Sequence, residues 1–460
     1  MSKIKHILCM FDYGTKVNTG FAKQSTEIVK AVKKTYGNNV QLDIIAAGFV
    51  PDEIFEYIKG GMSEADFGNL KEPLQCTPMY IEDNGTRVFS AVFADVVKRE
   101  VVDDKGEKSN FFIPYPQRGL YGQQIFCDLL EFNTDYNYDG IFIMNDLGVV
   151  LPMIPEFLRI KAELKKQNKK QFKSVFYFPI DCEPPAKVCS TDLLFFDKLI
   201  TYTEFGKNQV ITKQPLLKGK VSVIYHGINL KDFYRAKEDD VAEFRQQYFG
   251  ENSDKFIVGV VNRNQFRKDM PTAIFSFIAA KEKCKELGLE DNLFLYLHCY
   301  PKDLMGWDLP LLLSQTDLVE GVDYAFPNTL IKDIDTATLN MIYNSIDLYL
   351  STSLGEGFGL TAIECYATKT LTIIPDNTAY SELAINGKTK HSILYDMVYR
   401  VCCKEDCVIR WQGDYEDIAE QILDVKDDDA RTIVNNAYDF VKTLSWDIIG
   451  KKWCEVFKIY

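Results

Sequence analysis

The 460-residue sequence predicts an α/β chain of two domains, each a parallel sheet flanked by helices. Three observations carry that prediction. Short apolar runs without alternation, the form taken by strands buried on both faces, recur along the chain between helix-length segments. These runs fall into two consecutive series. Between the series lies a charged stretch, Asn229–Asp240, rich in Lys, Asp and Glu.

The first series opens with the apolar run Lys3–Phe11. Gly14, Asn18, Thr19 and Gly20 break it, and Phe21–Lys34 reads as a helix. Strand, glycine-bearing turn and helix together open a nucleotide-binding, Rossmann-like unit. Gln41–Ala46 is the next strand. Arg87–Phe112 departs from the pattern: two β-rich stretches around Asp103, Lys105 and Gly106 predict an inserted hairpin near 87–112. Strands at Gly140–Met144, Ser174–Pro179, Lys198–Thr203 and Val221–Ile224 follow, with helices at Leu151–Asn168 and Phe205–Thr212. The second series runs from the strand Ile257–Val261 and helix Thr272–Leu287 through strands Leu293–Cys299, Leu348–Ser351 and Leu371–Ile374. Asp428–Tyr460 is helical in pattern and carries Trp446 and Trp453.

Composition narrows the classes. With 46% hydrophobic and 26% charged residues the chain is globular, and its net charge of -13 argues against bulk affinity for nucleic acid. No run approaches the ~18 apolar residues of a membrane span. The 12 cysteines are scattered, which reads as reduced thiols in a cytoplasmic protein. Cys402, Cys403 and Cys407 cluster, but no second half of a zinc site accompanies them. The basic stretch Arg159–Lys173 reads as a solvated helix end.

Two segments carry chemistry. After the strand Leu348–Ser351 comes Gly355-Glu356-Gly357-Phe358-Gly359-Leu360, then a helix containing Glu364. Glycines let a backbone approach a ligand, and a helix N-terminus offers unpaired N–H groups to an anion. Glu356 and Glu364 can then accept hydrogen bonds from sugar hydroxyls. The plainer alternative is a scaffolding turn with Thr361 and Glu364 as a capping box. The other segment, Asn262–Asp269, places Arg263, Arg267 and Lys268 after the strand Ile257–Val261, where open α/β sheets bind ligands. Arg263 can fork onto phosphate oxygens and Lys268 can act as a point charge.

Arg263 with Lys268, followed by Glu356-Gly-Phe-Gly-Leu-x-x-x-Glu364, resembles the retaining family-4 glycosyltransferases of the GT-B fold. Val223–Asn229 with Phe233, Tyr343 with Asp347, and Pro375-Asp376 with Glu382 are similar to further segments of that family. The resemblance implies two Rossmann-like domains facing across a cleft: 1–228 for the acceptor, 229–440 for the nucleotide-sugar donor, and a helix in 441–460 crossing back to the first. It implies that Arg263 and Lys268 hold the donor diphosphate and that Glu356 contacts the donor sugar beside the N–H groups of Gly357, Phe358, Gly359 and Leu360. Glu364 would bond the ribose, and Gly20 would let the first domain touch the diphosphate. The implied reaction is metal-independent transfer, with retention, from a uridine or guanosine diphosphate sugar. The sequence departs from the family at Cys365–Thr370, and near Asn18-Thr19, where one glycine of a pair is replaced.

On the acceptor side, Asp181 and Asp146 each end a strand. Either is placed to orient a hydroxyl, and either is equally a turn or cap residue. Arg118 and Tyr121 are candidates to line the acceptor cleft. The catalytic set is thus Glu356, Arg263, Lys268 and Asp181, with no cofactor. The acceptor stays open among glycan, lipid, protein, small molecule and modified nucleic acid. His226 and His298 read as structural. Another GT-B enzyme, such as an epimerase or a phosphorylase, and a silent sugar-nucleotide-binding scaffold are the alternatives.

Overall fold

The computed structural model describes residues 4–13, 20–47, 80–90, 93–102, 108–116, 122–132, 137–184, 188–327, 334–427 and 430–460. Strands of the first domain are β1 (Lys5–Asp12), β2 (Val40–Ala47), β3 (Tyr80–Ile81), β4 (Arg87–Ser90), β5 (Phe93–Val102), β6 (Lys108–Pro116), β7 (Gly140–Met144), β8 (Lys173–Phe178), β9 (Lys198–Thr201) and β10 (Val221–Val223). An eight-stranded sheet runs in the order β10-β9-β8-β7-β1-β2-β4-β3, parallel except for the edge strand β3. Its central strands are apolar because helices cover both faces; every residue of β7 is buried.

The expected hairpin is displaced. Arg87–Ser90 pairs parallel with β2 inside the main sheet, and the antiparallel hairpin is β5 with β6, paired from Phe93↔Pro116 to Val102↔Lys108. Both stretches are β-rich, and only long-range pairing separates a sheet strand from a hairpin arm. The turn residues 103–107 lie outside the described residues.

The second domain contains β11 (Phe256–Val261), β12 (Leu293–His298), β13 (Tyr324–Ala325), β14 (Leu348–Leu350), β15 (Leu371–Pro375), β16 (Ile385–Asn386), β17 (Thr389–Lys390), β18 (Ile393–Tyr395), β19 (Met397–Cys402) and β20 (Ile409–Gly413). Six of them form a parallel sheet in the order β13-β12-β11-β14-β15-β18. The antiparallel hairpin β19–β20 stands apart from it, a feature the sequence reading did not contain.

In each sheet the first strand sits where the winding direction reverses: β1 between β2 and β7, β11 between β12 and β14. Such switch points open a crevice at the carboxyl ends of the strands. The helix Trp446–Phe457 lies on the first domain, where Tyr36 donates to the Cys454 carbonyl at 2.7 Å. Trp453 is fully buried there, its ring 4.6 Å from Tyr177 and 5.3 Å from Phe142. Among the described residues no helix is long and apolar enough to cross a membrane. The cations of 159–173 that have ion pairs find them nearby: Arg159 with Glu131 and Glu156, Lys166 with Glu163, Lys170 with Asp139, Lys173 with Asp197.

Candidate active site

Because β11 and β14 are neighbours, the loops leaving their carboxyl ends run side by side. They are laced together: Leu354 N donates to the Arg267 carbonyl at 2.9 Å, and the Arg267 guanidinium donates to the Gly355 carbonyl at 2.7 Å. This brings Lys268 onto Glu356, with Arg267 3.3 Å from the other carboxylate oxygen. Burial by itself would raise the Glu356 pKa, but Lys268 and Arg267 more than offset that and hold it at about 2. Glu356 is therefore ionised at neutral pH, and two cations share it.

Arg263 is placed differently. It is 58% exposed and turned toward Asp303, with Nε 3.0 Å from the carboxylate. Spacing pairs Arg263 with Lys268, but the structure gives the inner position beside Lys268 to Arg267, 18% exposed, whose significance no spacing in the sequence reveals. Glu364 is buried and accepts from Tyr343 at 2.7 Å, with Lys23 of the first domain 4.0 Å away. Burial raises its pKa, and Lys23 and Tyr343 oppose that. The capping-box alternative is not realised, since the helix Leu360–Thr368 has Gly359 at its N-cap without a side-chain bond.

The glycines serve contacts between domains as well as turn geometry. A Cβ at Gly355 would lie 2.0 Å from the Asp181 carbonyl oxygen of the first domain. Gly359 has φ +95°, a conformation that excludes most side chains, and packs on Tyr380. Gly20, at the start of the helix after β1, meets Leu360 across the cleft, so the two switch points face each other.

Asp181, at the end of β8, is gripped by two arginines. Arg267 Nε lies 3.4 Å from its carboxylate, and Arg410 donates to its carbonyl at 2.7 Å while lying 3.3 Å from the carboxylate. Arg410 is buried, comes from β20 and also bonds Asp406 at 2.6 Å. Asp146 follows β7. Its side chain reaches solvent in the cleft yet is crowded by protein; that desolvation, and then the Asp181 charge, lift its pKa to about 6. Arg118 and Tyr121 lie outside the described residues, as does the stretch 14–19.

Glu382 ties the domains together from the other side. Its carboxylate accepts from the backbone N–H groups of Glu204 and Phe205, both at 2.9 Å, and from the Tyr225 hydroxyl. Those N–H groups open the helix Glu204–Lys213, where a negative charge is favoured. His226 is buried against Tyr177 at 2.8 Å, and burial lowers its pKa to about 3, so it stays neutral. His298 likewise bonds Tyr296 at 2.8 Å. Among the described residues no group of three or more His, Cys, Asp or Glu converges to hold a metal ion.

No protein-family model matches the chain. It is 23% identical over 235 residues to the capsular polysaccharide biosynthesis glycosyltransferase CapM of Staphylococcus aureus, covering 49% of this chain. It is 26% identical over 270 residues to a UDP-forming trehalose-phosphate synthase of Encephalitozoon cuniculi, covering 51%. It spans 53% and 55% of the length of these relatives. Solved structures superpose over nearly the whole chain. Anabaena HepE in complex with UDP and glucose matches at TM-score 0.61 and 13% identity, covering 99% of this chain and 100% of HepE. A glycosyltransferase from Rickettsia africae matches at 0.62 and 14%, covering 100% of this chain and 98% of that one. Two parallel sheets whose switch points face each other across a cleft, superposing over nearly the whole chain on HepE and on a solved glycosyltransferase, give this chain the GT-B fold.

Proposed function

We propose that the chain is a retaining glycosyltransferase that takes a sugar from a nucleoside diphosphate, with uridine diphosphate as the leaving group, and places it on a hydroxyl acceptor. The observation that carries this reading is the buried pair Lys268 and Glu356 with half-buried Arg267 at the switch point of the second sheet, facing Asp181 across the cleft. Lys268 and Arg267 meet on Glu356 while Arg267 and Arg410 also hold Asp181, so cations are concentrated in a water-poor site where they act strongly on an anion that displaces these carboxylates. A departing diphosphate taking over those contacts would be stabilised in the way a metal ion otherwise provides. The relative named as a glycosyltransferase, the relative named as UDP-forming and the neighbour solved with UDP support the donor class.

In the proposed step the acceptor oxygen bonds to the anomeric carbon on the face from which the diphosphate departs. The bond from that carbon to the phosphate oxygen breaks, and the hydroxyl proton passes to the same phosphate oxygen. Lys268, Arg267 and, from the rim, Arg263 stabilise the growing negative charge. Glu356 orients the donor sugar, and Glu364 faces the ribose. Asp146 and Asp181 sit on the acceptor wall.

The test is incubation with a panel of UDP- and GDP-sugars in the presence of chelator, with mass detection of released nucleotide and of product anomer. UDP release that survives chelator, with a product of unchanged configuration, is expected. Release only with added magnesium, or an inverted product, would overturn the mechanism. Isomerised donor without transfer would favour an epimerase, and dependence on inorganic phosphate a phosphorylase.

A further inference from the structure

Arg267 has more partners than one cation can keep once an anion arrives. Its guanidinium lies 3.3 Å from Glu356 and 3.4 Å from Asp181, and it donates to the Gly355 carbonyl at 2.7 Å. A diphosphate on the second-domain wall would draw it from Asp181, because phosphate oxygens match the guanidinium fork. Asp181 would then stand near Asp146, the two carboxylates repelling each other, without that counter-charge. Resting on the transferase reading, we propose that Arg410 is a positioning residue that holds Asp181 on the first-domain wall and so releases Arg267 to the donor.

One guanidinium fixes Asp181 by backbone and side chain together. Arg410 Nη1 donates to the Asp181 carbonyl at 2.7 Å, and Nη2 lies 3.3 and 3.4 Å from the two carboxylate oxygens. Asp406 accepts from the same Nη2 at 2.6 Å. Among the described residues these are its hydrogen-bond partners, so Arg410 is not shared with Glu356 as Arg267 is. Arg410 is buried, and a Cβ at Gly355 would lie 2.9 Å from its Nη1, which packs it against the Glu356 loop. A buried cation needs paired charge, and Asp181 and Asp406 supply it.

The hairpin that carries Arg410 is fastened to the donor loop at two points. Gln412, two residues along β20 and so on the same face as Arg410, donates to Asp269 Oδ2 at 2.7 Å and to Thr272 Oγ1 at 3.1 Å. Lys404, in the hairpin turn, lies over the Phe266 ring at 4.5 Å. Phe266 and Asp269 are the residues on either side of Arg267 and Lys268. The hairpin therefore takes its position from both ends of the segment that bears the donor cations and passes it to Asp181 of the first domain. Two arginines on one carboxylate let one of them leave without setting the carboxylate loose.

A double-mutant cycle on the full chain tests this, with UDP affinity read by calorimetry. Arg410→Gln should weaken UDP binding by about tenfold, since Asp181 then keeps Arg267. Asp181→Asn should bind UDP no more weakly than the parent, because Arg267 is free of that carboxylate. In the Asp181→Asn background, Arg410→Gln should cost less than about twofold. An arginine that only shapes the hairpin would cost the same in both backgrounds. Should Arg410→Gln not fold, Arg410→Lys, which keeps the charge and loses the fork, takes its place with the same cancellation expected. UDP affinity unchanged by the Arg410 variant, or lowered equally with and without Asp181, would overturn this inference and leave the transferase reading standing. Failure of the unaltered chain to bind UDP would overturn the transferase reading, and this inference with it.

Discussion

On the second-domain wall of the cleft, buried Lys268 and half-buried Arg267 meet a single carboxylate, Glu356, whereas the first-domain wall presents Asp146 and Asp181. One wall stores positive charge and the other negative, and arginines bridge them, since Arg267 and Arg410 both reach Asp181. A buried ion pair costs desolvation that its own attraction only partly returns. Such a cluster is weak evidence for stability and better evidence for a site meant to receive another charge. An incoming diphosphate would compete with Glu356 and Asp181 for the same cations. The charge that holds the cleft together is thus the charge a donor would use.

Breaking the cation wall should produce the largest effect. Lys268→Ala and Arg267→Ala should each lower kcat/KM for the donor by about 10² to 10³, as removal of one preorganised charge donor does. Arg263→Ala, at the exposed rim, should cost about tenfold and act through KM. Steady-state kinetics on the three variants decides it, and equal losses at 263 and 267 would erase the distinction between rim and interior.

Glu356→Gln should come next. It leaves buried Lys268 without its counter-ion and Arg267 with Asp181 alone, so the fold should lose about 3 kcal/mol as well as activity. Because Glu356 is held at about 2 against an ordinary 4.5, its contribution is complete above pH 4.5 and disappears as the pH falls through 2. The melting-temperature gap between variant and parent should therefore be flat from pH 8 to 5. Saturating UDP should raise the melting temperature of the variant by more than that of the parent. A gain no larger than the parent's would show that the anion does not replace the lost carboxylate.

The smallest effect concerns the opposite wall. Asp146, raised to about 6, binds a proton in the folded chain more readily than in the unfolded one, so its charge disfavours folding above that pH. Asp146→Asn should stabilise the protein above pH 6, with the gain fading as the pH falls toward 4. If the ionised carboxylate orients the acceptor, the variant should also lose an activity limb near pH 6. A melting-temperature difference that does not change with pH would show that Asp146 carries no raised pKa.

Much of the second-domain wall is legible in the chain because its signals are local. Glu356 and Lys268 each follow an apolar strand within a few residues, and the strand end is where open α/β sheets bind. Arg267 is visible as a cation of the same loop, but nothing in its spacing distinguishes it from Arg263. Only the packing of the β14 loop against the β11 loop puts one inside and the other at the rim. The hairpin β19–β20 was illegible for a different reason. Most of β19 is exposed, so it lacks the apolar run by which buried strands are recognised. Arg410 stands 229 positions from Asp181, and no pattern in sequence links them.

By itself, then, the sequence determined the two α/β series and the loops after β11 and β14, because helix and strand periodicity and the position of a residue after a strand are properties of neighbours along the chain. Tertiary structure alone decided that Arg87–Ser90 joins the main sheet, that Glu382 caps a helix of the other domain, and that Arg410 closes on Asp181. Those outcomes depend on which distant segments share a buried contact. Their free energy comes from desolvation and pairing across the cleft, which no local pattern encodes.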